Sequence, residues 1–347
     1  MLLEGMYLPL TTPFSPDGRL NLHKLEDNVR RYSKTPAAGL VALSQSGQPT
    51  LLSDAETRDA LRVVADVAAA EKVLVAGVAR DSVAGTVELI AYAAEVGFDV
   101  TLVPVPSILR SGRAAEVLTF YRAVADRAEL PVVIDSCDAR EIAVEVVVEL
   151  AAHPNVIGMV DASGDAGRAG RVLGGTAAVR REATVTTVFA AVTGRMLAKS
   201  RPAEPAVLSI GDLAGGGTAV SVAPPMVSLK TRTKVMGFQV LCGRTVGVLE
   251  ALQVGAVGAM PPLAASAPQA CYEVLAAWKD GDPALAAEKQ ERLRALAARV
   301  EEEMGVAGIK FGCDLNGYFG GRPRLPGLPL TGEEREEVEG LMRVIRN

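Results

Sequence analysis

The run Val156-Ile157-Gly158-Met159-Val160 is apolar at every position and passes directly into Asp161-Ala162-Ser163-Gly164-Asp165. A strand with no polar alternation is buried on both faces, the condition of a parallel sheet covered by helices. Working outward, runs of the same kind occur at Met6–Pro9, Gly39–Ser44, Val73–Gly77, Val100–Val103, Pro131–Ile134, Phe238–Leu241 and Val257–Met260. From Gly39 the segment starts advance to Lys72, Phe98, Leu130 and Val156, steps of 33, 26, 32 and 26 residues. Each step suits one strand plus one crossover helix, and eight such units close a barrel.

The intervening stretches carry helix signals. Ser53-Asp54-Ala55-Glu56 has the form of a capping box ahead of an apolar face at Leu61, Val64 and Val67. A long charged helix is expected from Pro283 to about Met304, and another over Glu333–Ile345. These exceed what eight units need. The expected fold is therefore an α/β (β/α)8 TIM barrel over residues 1–270, followed by a C-terminal helical region at 271–347.

One interval breaks the rhythm. Gly164 to Gly237 spans 74 residues and contains Gly215-Gly216-Gly217, Pro224-Pro225 and the basic run Lys230-Thr231-Arg232-Thr233-Lys234. It implies an insertion between strands 6 and 7, at about 175–236. If Ala166–Leu173 is the regular crossover helix, the insertion leaves from the bottom of the barrel; if the helix comes later, it overhangs the mouth.

Composition excludes several functions. The chain has 347 residues, 49% hydrophobic and 22% charged, with a net charge of −5. His23 and His153 are the only histidines, which leaves no room for a poly-histidine metal site. An aromatic share of 4% with an acidic balance argues against nucleic acid as a partner. Met1-Leu2-Leu3-Glu4-Gly5-Met6 lacks the form of a signal peptide, and no apolar run is long enough to span a membrane. Cys137, Cys242, Cys271 and Cys313 are too scattered for a disulfide framework. A cytoplasmic protein with free thiols is expected. Nine lysines occur in the chain, none between Val73 and Ala198.

Function in such barrels is carried by loops at the C-terminal ends of the strands. Those ends read Leu10-Thr11-Thr12-Pro13-Phe14, then Ser44-Gln45-Ser46-Gly47-Gln48, then Pro131-Val132-Val133-Ile134, then Ile157 to Asp165, with Gly308-Ile309-Lys310 and Gly321-Arg322-Pro323-Arg324-Leu325-Pro326 near the C-terminus. In order and spacing this series resembles the dihydrodipicolinate synthase/N-acetylneuraminate lyase family, over about Gly5–Ser163 and Phe238–Ile345. The resemblance implies aldol chemistry on a 2-keto acid through a lysine Schiff base, in which the condensed amine acts as an electron sink. It also implies a homo-oligomer, dimer or tetramer, and no cofactor.

The chain departs from that pattern at its centre. The lysine of the family's sixth strand corresponds to Val160, and the tyrosine of its fifth to Asp135. The Gly-Thr-Thr-Gly-Glu loop reads Ser44-Gln45-Ser46-Gly47-Gln48, and a Pro-Tyr-Tyr after the fourth strand reads Pro106-Ser107-Ile108. Valine offers no nucleophile. Lys230, Lys234 and Lys310 are the remaining candidates for a relocated amine.

A polar mouth survives on paper. Arg140 matches an arginine that the resemblance assigns to a substrate carboxylate; alternatively it is a surface residue paired with Asp138 or Glu141. Gln45, Ser46 and Gly47 either bind a carboxylate or form a simple turn. Asp135 and Asp161, at the ends of adjacent strands with Asp165 beyond, are the candidate acid and base; a divalent cation on these carboxylates is the alternative, and no metal is expected. Cys137 and Cys242 are either buried inert thiols or mouth nucleophiles. The reading is a lyase-like protein that binds a small keto acid or related carboxylate without a Schiff base, the alternative being a non-catalytic binding or regulatory relative.

Overall fold

The computed structural model describes residues 1–109, 111–136, 141–200 and 229–345. The first half alternates strictly: β1 (Gly5–Pro9), α1 (Leu22–Tyr32), β2 (Gly39–Ala42), α2 (Asp54–Val67), β3 (Val73–Gly77), α3 (Val83–Glu95), β4 (Val100–Pro104), α4 (Ala114–Ala125), β5 (Val132–Ser136), α5 (Val144–Ala151), β6 (Val156–Asp161) and α6 (Ala166–Gly175). Then come β7 (Arg181–Thr186), α7 (Gly194–Ser200) and β8 (Thr231–Met236), outside the rhythm. The alternation resumes with β9 (Gln239–Cys242), α8 (Val248–Gln253), β10 (Gly258–Ala259) and α9 (Pro268–Lys279), and ends on α10 (Pro283–Leu296), α11 (Gly305–Leu315) and α12 (Gly332–Ile345).

Eight strands close into a parallel barrel in the order β1-β2-β3-β4-β5-β6-β9-β10. All eight apolar runs of the sequence are its staves. Because side chains alternate along a strand, each stave feeds two cores. Tyr7, Val41, Val75, Leu102, Val133, Val160 and Leu241 fill the barrel interior. Leu40, Leu74, Val103, Ile134, Met159 and Val240 belong to the larger core under the helices. Full burial of one such side chain contributes roughly 1.5–3 kcal/mol, so the two layers dominate stability.

Ser53 and Glu56 form the expected capping box at the start of α2, with Glu56 N donating to Ser53 Oγ and Ser53 N donating to Glu56 Oε2. The division expected near residue 270 falls inside α9, which packs against β1 and α8 as the eighth helix of the barrel. The helix expected from Pro283 to Met304 is also interrupted. It is α-helical to Leu296 and continues as a π-helical segment over Ala297–Glu303.

The interruption after β6 leaves from the bottom of the barrel, because α6 completes the crossover first. β7 and β8 pair antiparallel, Arg181 opposite Met236 through Thr186 opposite Thr231. The inserted elements bond to backbone just ahead of the staves. Arg195 Nη1 donates to Gly97 O at 2.7 Å, and Arg181 Nη2 donates to Ala151 O and His153 O, each at 2.7 Å. Lys234 pairs with Glu4, and Leu2 is buried with Ala183, Val185 and Met236. Asp99 is the centre of this seal. It accepts from Leu74 N at 2.9 Å and Gly194 N at 3.1 Å and faces Arg195 at 3.5 Å. The basic run Lys230–Lys234 thus belongs mostly to a strand under the barrel, far from the mouth.

Removing one member of a buried charge pair strands the other without water. Asp99→Ala is expected to cost about 3 kcal/mol of stability, read by urea denaturation. Ligand binding at the opposite end is expected to be unchanged at temperatures where the variant is folded.

Candidate functional site

Every stave ends in a loop at the top, and several of these loops surround one cavity of about 230 Å³. Its wall takes Ser44, Gln45 and Ser46 from the loop after β2, Asp135 from β5, Ala162 after β6, Gly243 and Arg244 after β9, and Glu301 and Glu302 from the π-helical segment. Leu43 ends β2 in the left-handed region at φ 59°, which breaks the extended run just before this wall.

The β5–β6 ladder pairs Asp135 with Val160 and Ser136 with Asp161. Val160 is buried in the barrel interior, so Asp135, level with it, faces inward as well and lines the cavity. Asp161 is one residue further along and faces the other way. Its Oδ1 lies 2.6 Å from Arg168 Nη1 of α6, both side chains almost fully buried, and accepts from Ser163 N at 3.0 Å. Arg168 also donates to Ile142 O at 2.6 Å. The expected acid–base pair is therefore not assembled: Asp161 ties β6 to its own helix, outside the barrel. Asp165 is spent as the N-cap of α6, accepting from Gly167 N at 2.8 Å, and backbone hydrogen bonds hold its carboxyl below the usual range.

Of the expected carboxylate loop, Gln45 and Ser46 reach the wall, and Gly47 does not. The Gly47 N–H already donates to Ser44 O at 2.8 Å, and its carbonyl accepts from Thr12 Oγ1 at 2.6 Å. A Cβ at Gly47 would come within 3.3 Å of both Leu10 O and Thr12 Oγ1, so this residue serves close packing of two loops. Arg140, Asp138 and Cys137 lie outside the described residues. Cys242 is buried, and burial pushes its thiol up to about 12, which keeps it protonated and inert.

Three cavity residues were not anticipated. Arg244 Nε donates to Ala162 O at 2.8 Å, and its Nη1 meets Glu302 Oε1 at 2.9 Å. Glu301 is buried and accepts from Thr245 N and Leu263 N, each at 3.2 Å, and from Thr245 Oγ1. Gln290 of α10 donates to Thr245 O at 2.8 Å. The loop carrying Arg244 is thus clamped from both sides by residues some 45–56 positions later in the chain. Burial raises the Glu301 carboxyl above the usual range, although its three donors oppose the shift.

None of the nine lysines lines this cavity. Lys310 comes nearest in sequence, next to the lining residue Ile309, but is fully buried. Its Nζ donates to Thr12 O at 2.7 Å and Arg322 O at 3.0 Å and lies 4.5 Å from the Phe14 ring centre. Arg324 also lies against that ring, at 4.7 Å, and grips Glu56, Nη1 to Oε2 at 2.8 Å. Lys310 pins the loop after β1 to the C-terminal strap.

The arrangement is a (β/α)8 barrel with a small polar cavity at its C-terminal mouth, the class in which loop residues carry the chemistry. The profile of the dihydrodipicolinate synthetase family matches residues 2–178 and 218–345, and the chain belongs to that family. The unmatched interval begins just before β7 and covers the first part of the basal insertion. A 4-hydroxy-tetrahydrodipicolinate synthase of Stenotrophomonas maltophilia is 33% identical over 171 residues, 48% of this chain and 57% of that one. Another, from Methanothrix thermoacetophila, is 24% identical over 98% of this chain and 96% of its own length. Among solved structures, dihydrodipicolinate synthases of Bacillus anthracis and Thermotoga maritima each align with a TM-score of 0.77. They share 19% and 18% identity and cover 99% and 100% of this chain and 98% and 99% of their own, a likeness of fold. Among the described residues no helix is long and apolar enough to cross a membrane.

Burial lowers the Lys310 amine from its ordinary 10.5 to about 7. Between those two values the unfolded chain binds more protons than the folded one, so the lysine's contribution makes folding more favourable as pH rises. Lys310→Met is expected to flatten the stability–pH curve between pH 7 and 9 relative to the parent, as measured by urea denaturation at each pH.

Proposed function

We propose that the protein binds a small carboxylate, a 2-keto acid or a chemical relative of one, at the barrel mouth, and that it does so without forming a Schiff base. The observation that carries this reading is Val160. It is buried in the barrel interior level with Asp135, on the stave where the family resemblance expects the reactive lysine, and no other lysine lines the cavity. Imine formation requires an amine with a free electron pair next to the carbonyl carbon. Lys310, the one buried amine near the top of the barrel, donates to two carbonyls and is shut off from the cavity. Retention of a polar mouth supports binding: Gln45, Ser46 and Asp135 sit on one cavity with Arg244.

The same valine favours a second reading, a non-catalytic binding or regulatory member of the family. Turnover separates the two. In either case, incubation with pyruvate or other 2-keto acids followed by borohydride reduction is expected to leave the intact mass unchanged. A reduced adduct would overturn both readings and point to a relocated lysine. A thermal-shift screen of keto, hydroxy and amino acids is expected to find at least one carboxylate that raises the melting transition; a flat screen removes the ligand-binding reading.

A further inference from the structure

We propose that the basal insertion docks the barrel on an anionic lipid surface, the turn after β7 entering the headgroup layer with Val188 and Phe189 while Lys230 and Arg232 meet the lipid charges. The proposal concerns the end of the barrel opposite the mouth and does not depend on what the mouth binds.

The turn is an addition to the family fold and serves no core. The family profile stops at residue 178 and resumes at 218, so β7, α7 and the turn between them fall in the unmatched interval. The turn closes through Thr186 N on Ala190 O at 2.8 Å and Phe189 N on Thr186 O at 3.0 Å, and Ala191 then bridges back to Val185. Between those bonds Val188 is 82% exposed and Phe189 49% exposed. The apolar cluster that seals the insertion is made by Leu2, Ala183, Val185 and Met236 and includes neither of them. Nor does the bend need them. Phe189 sits at φ 61°, in the left-handed region, where Gly or Asn is accommodated at less cost and a bulky aromatic is a rare occupant.

Cations surround this tip. Thr186 is paired with Thr231, which brings Lys230 to the turn end of the hairpin, and Arg232 holds its guanidinium 5.8 Å from the centre of the Phe189 ring. Both are exposed, and neither has an acidic partner among the described residues, whereas Lys234 further along is taken by Glu4. Over the described residues of the insertion, 179–200 and 229–236, seven cations stand against Glu182 as the single acid, in a chain whose net charge is −5. Charges more than ~10 Å away are largely screened at ordinary salt, so an approaching surface meets the local positive charge rather than the net negative one.

An apolar tip with cations around it calls for a partner that is negative at its surface and apolar just beneath. A bilayer with anionic headgroups offers both in one approach. The phosphate backbone of a nucleic acid offers the charge but no apolar layer for Val188, and a second copy meeting across a twofold axis brings Lys230 and Arg232 against their own equivalents. Two apolar side chains and a few cations give a reversible, salt-sensitive attachment rather than a permanent anchor. Docked in this way, the barrel keeps its mouth turned away from the membrane and open to soluble ligands.

Co-sedimentation of the full chain with vesicles tests this. Each cation near an anionic surface strengthens binding about fivefold, so vesicles of one-third phosphatidylserine in phosphatidylcholine are expected to bind the protein about 25-fold more tightly than phosphatidylcholine alone. That advantage is expected to vanish at about 1 M salt, where the screening length is ~3 Å. Lys230→Gln combined with Arg232→Gln is expected to remove the preference for phosphatidylserine. Val188→Ser combined with Phe189→Asn is expected to weaken binding about tenfold with the cations intact, Asn being suited to the backbone there. Phe189→Trp gives a direct readout: its emission is expected to shift to the blue when anionic vesicles are added, while Trp278, the chain's own tryptophan in α9, does not respond in the parent. Far-UV circular dichroism checks that the variants fold. Failure to partition onto anionic vesicles at low salt would overturn the proposal. So would partition that is unchanged by loss of Val188 and Phe189 and brings no blue shift, the outcome expected of a basic patch that adheres to any polyanion, RNA or an acidic protein included.

Discussion

The barrel closes through a ladder only two residues long, Gly5 against Gly258 and Met6 against Ala259. A Cβ on Gly258 would fall 2.0 Å from Gly5 O, so the two strands meet backbone to backbone with no side chain between them. Gly5 itself sits at φ 121°, a conformation that L side chains rarely adopt. Without this seam the first and last staves would be free edges, and the rest of the sheet would open. The inward and outward assignment of every residue described above depends on the seam holding register.

That register explains which parts of the molecule were readable from the chain. The eight staves were legible because parallel strands buried on both faces are written as plain apolar runs, as in Val73–Gly77 and Val156–Val160. β7 and β8 escaped notice for the opposite reason. Glu182, Ala183, Thr184 and Val185 alternate exposed and buried, and Thr231–Val235 is mostly solvated, so neither segment reads as a core element. The site was half legible. Asp135 follows directly from its place at the end of a stave. Asp161 does not, because a carboxylate one position out of step faces the helices, and adjacency in sequence patterns ignores that parity. Arg244 and Glu301 were invisible for a third reason: their meeting depends on α10 and the segment after it, whose path over the mouth no local pattern encodes.

The two ends of the barrel are built from contrasting chemistry. At the bottom, Asp99 is held by Leu74 N, Gly194 N and Arg195, Arg181 bonds to backbone carbonyls, and a small apolar cluster around Leu2 fills the space beneath. At the top, Gln290, Glu301 and Thr245 bond to one another, and the loop they clamp holds an arginine whose Nη2 carries no hydrogen bond among the described residues. Rigid support behind an incompletely satisfied group is the general arrangement of binding sites, since a pre-positioned donor loses little freedom when the ligand arrives.

The π-helical segment Ala297–Glu303 has a consequence for how this chain tolerates change in length. A helix advances 100° per residue, so deleting or adding one residue anywhere between Gln290 and Glu302 would rotate one of these two anchors away from the loop it holds. Single substitutions on the outer face leave that phase untouched. The stretch from Gln290 to Glu302 therefore behaves as a phased spacer: its exposed positions are open to drift, while its buried ones and its residue count are locked to the core and to the position of Arg244.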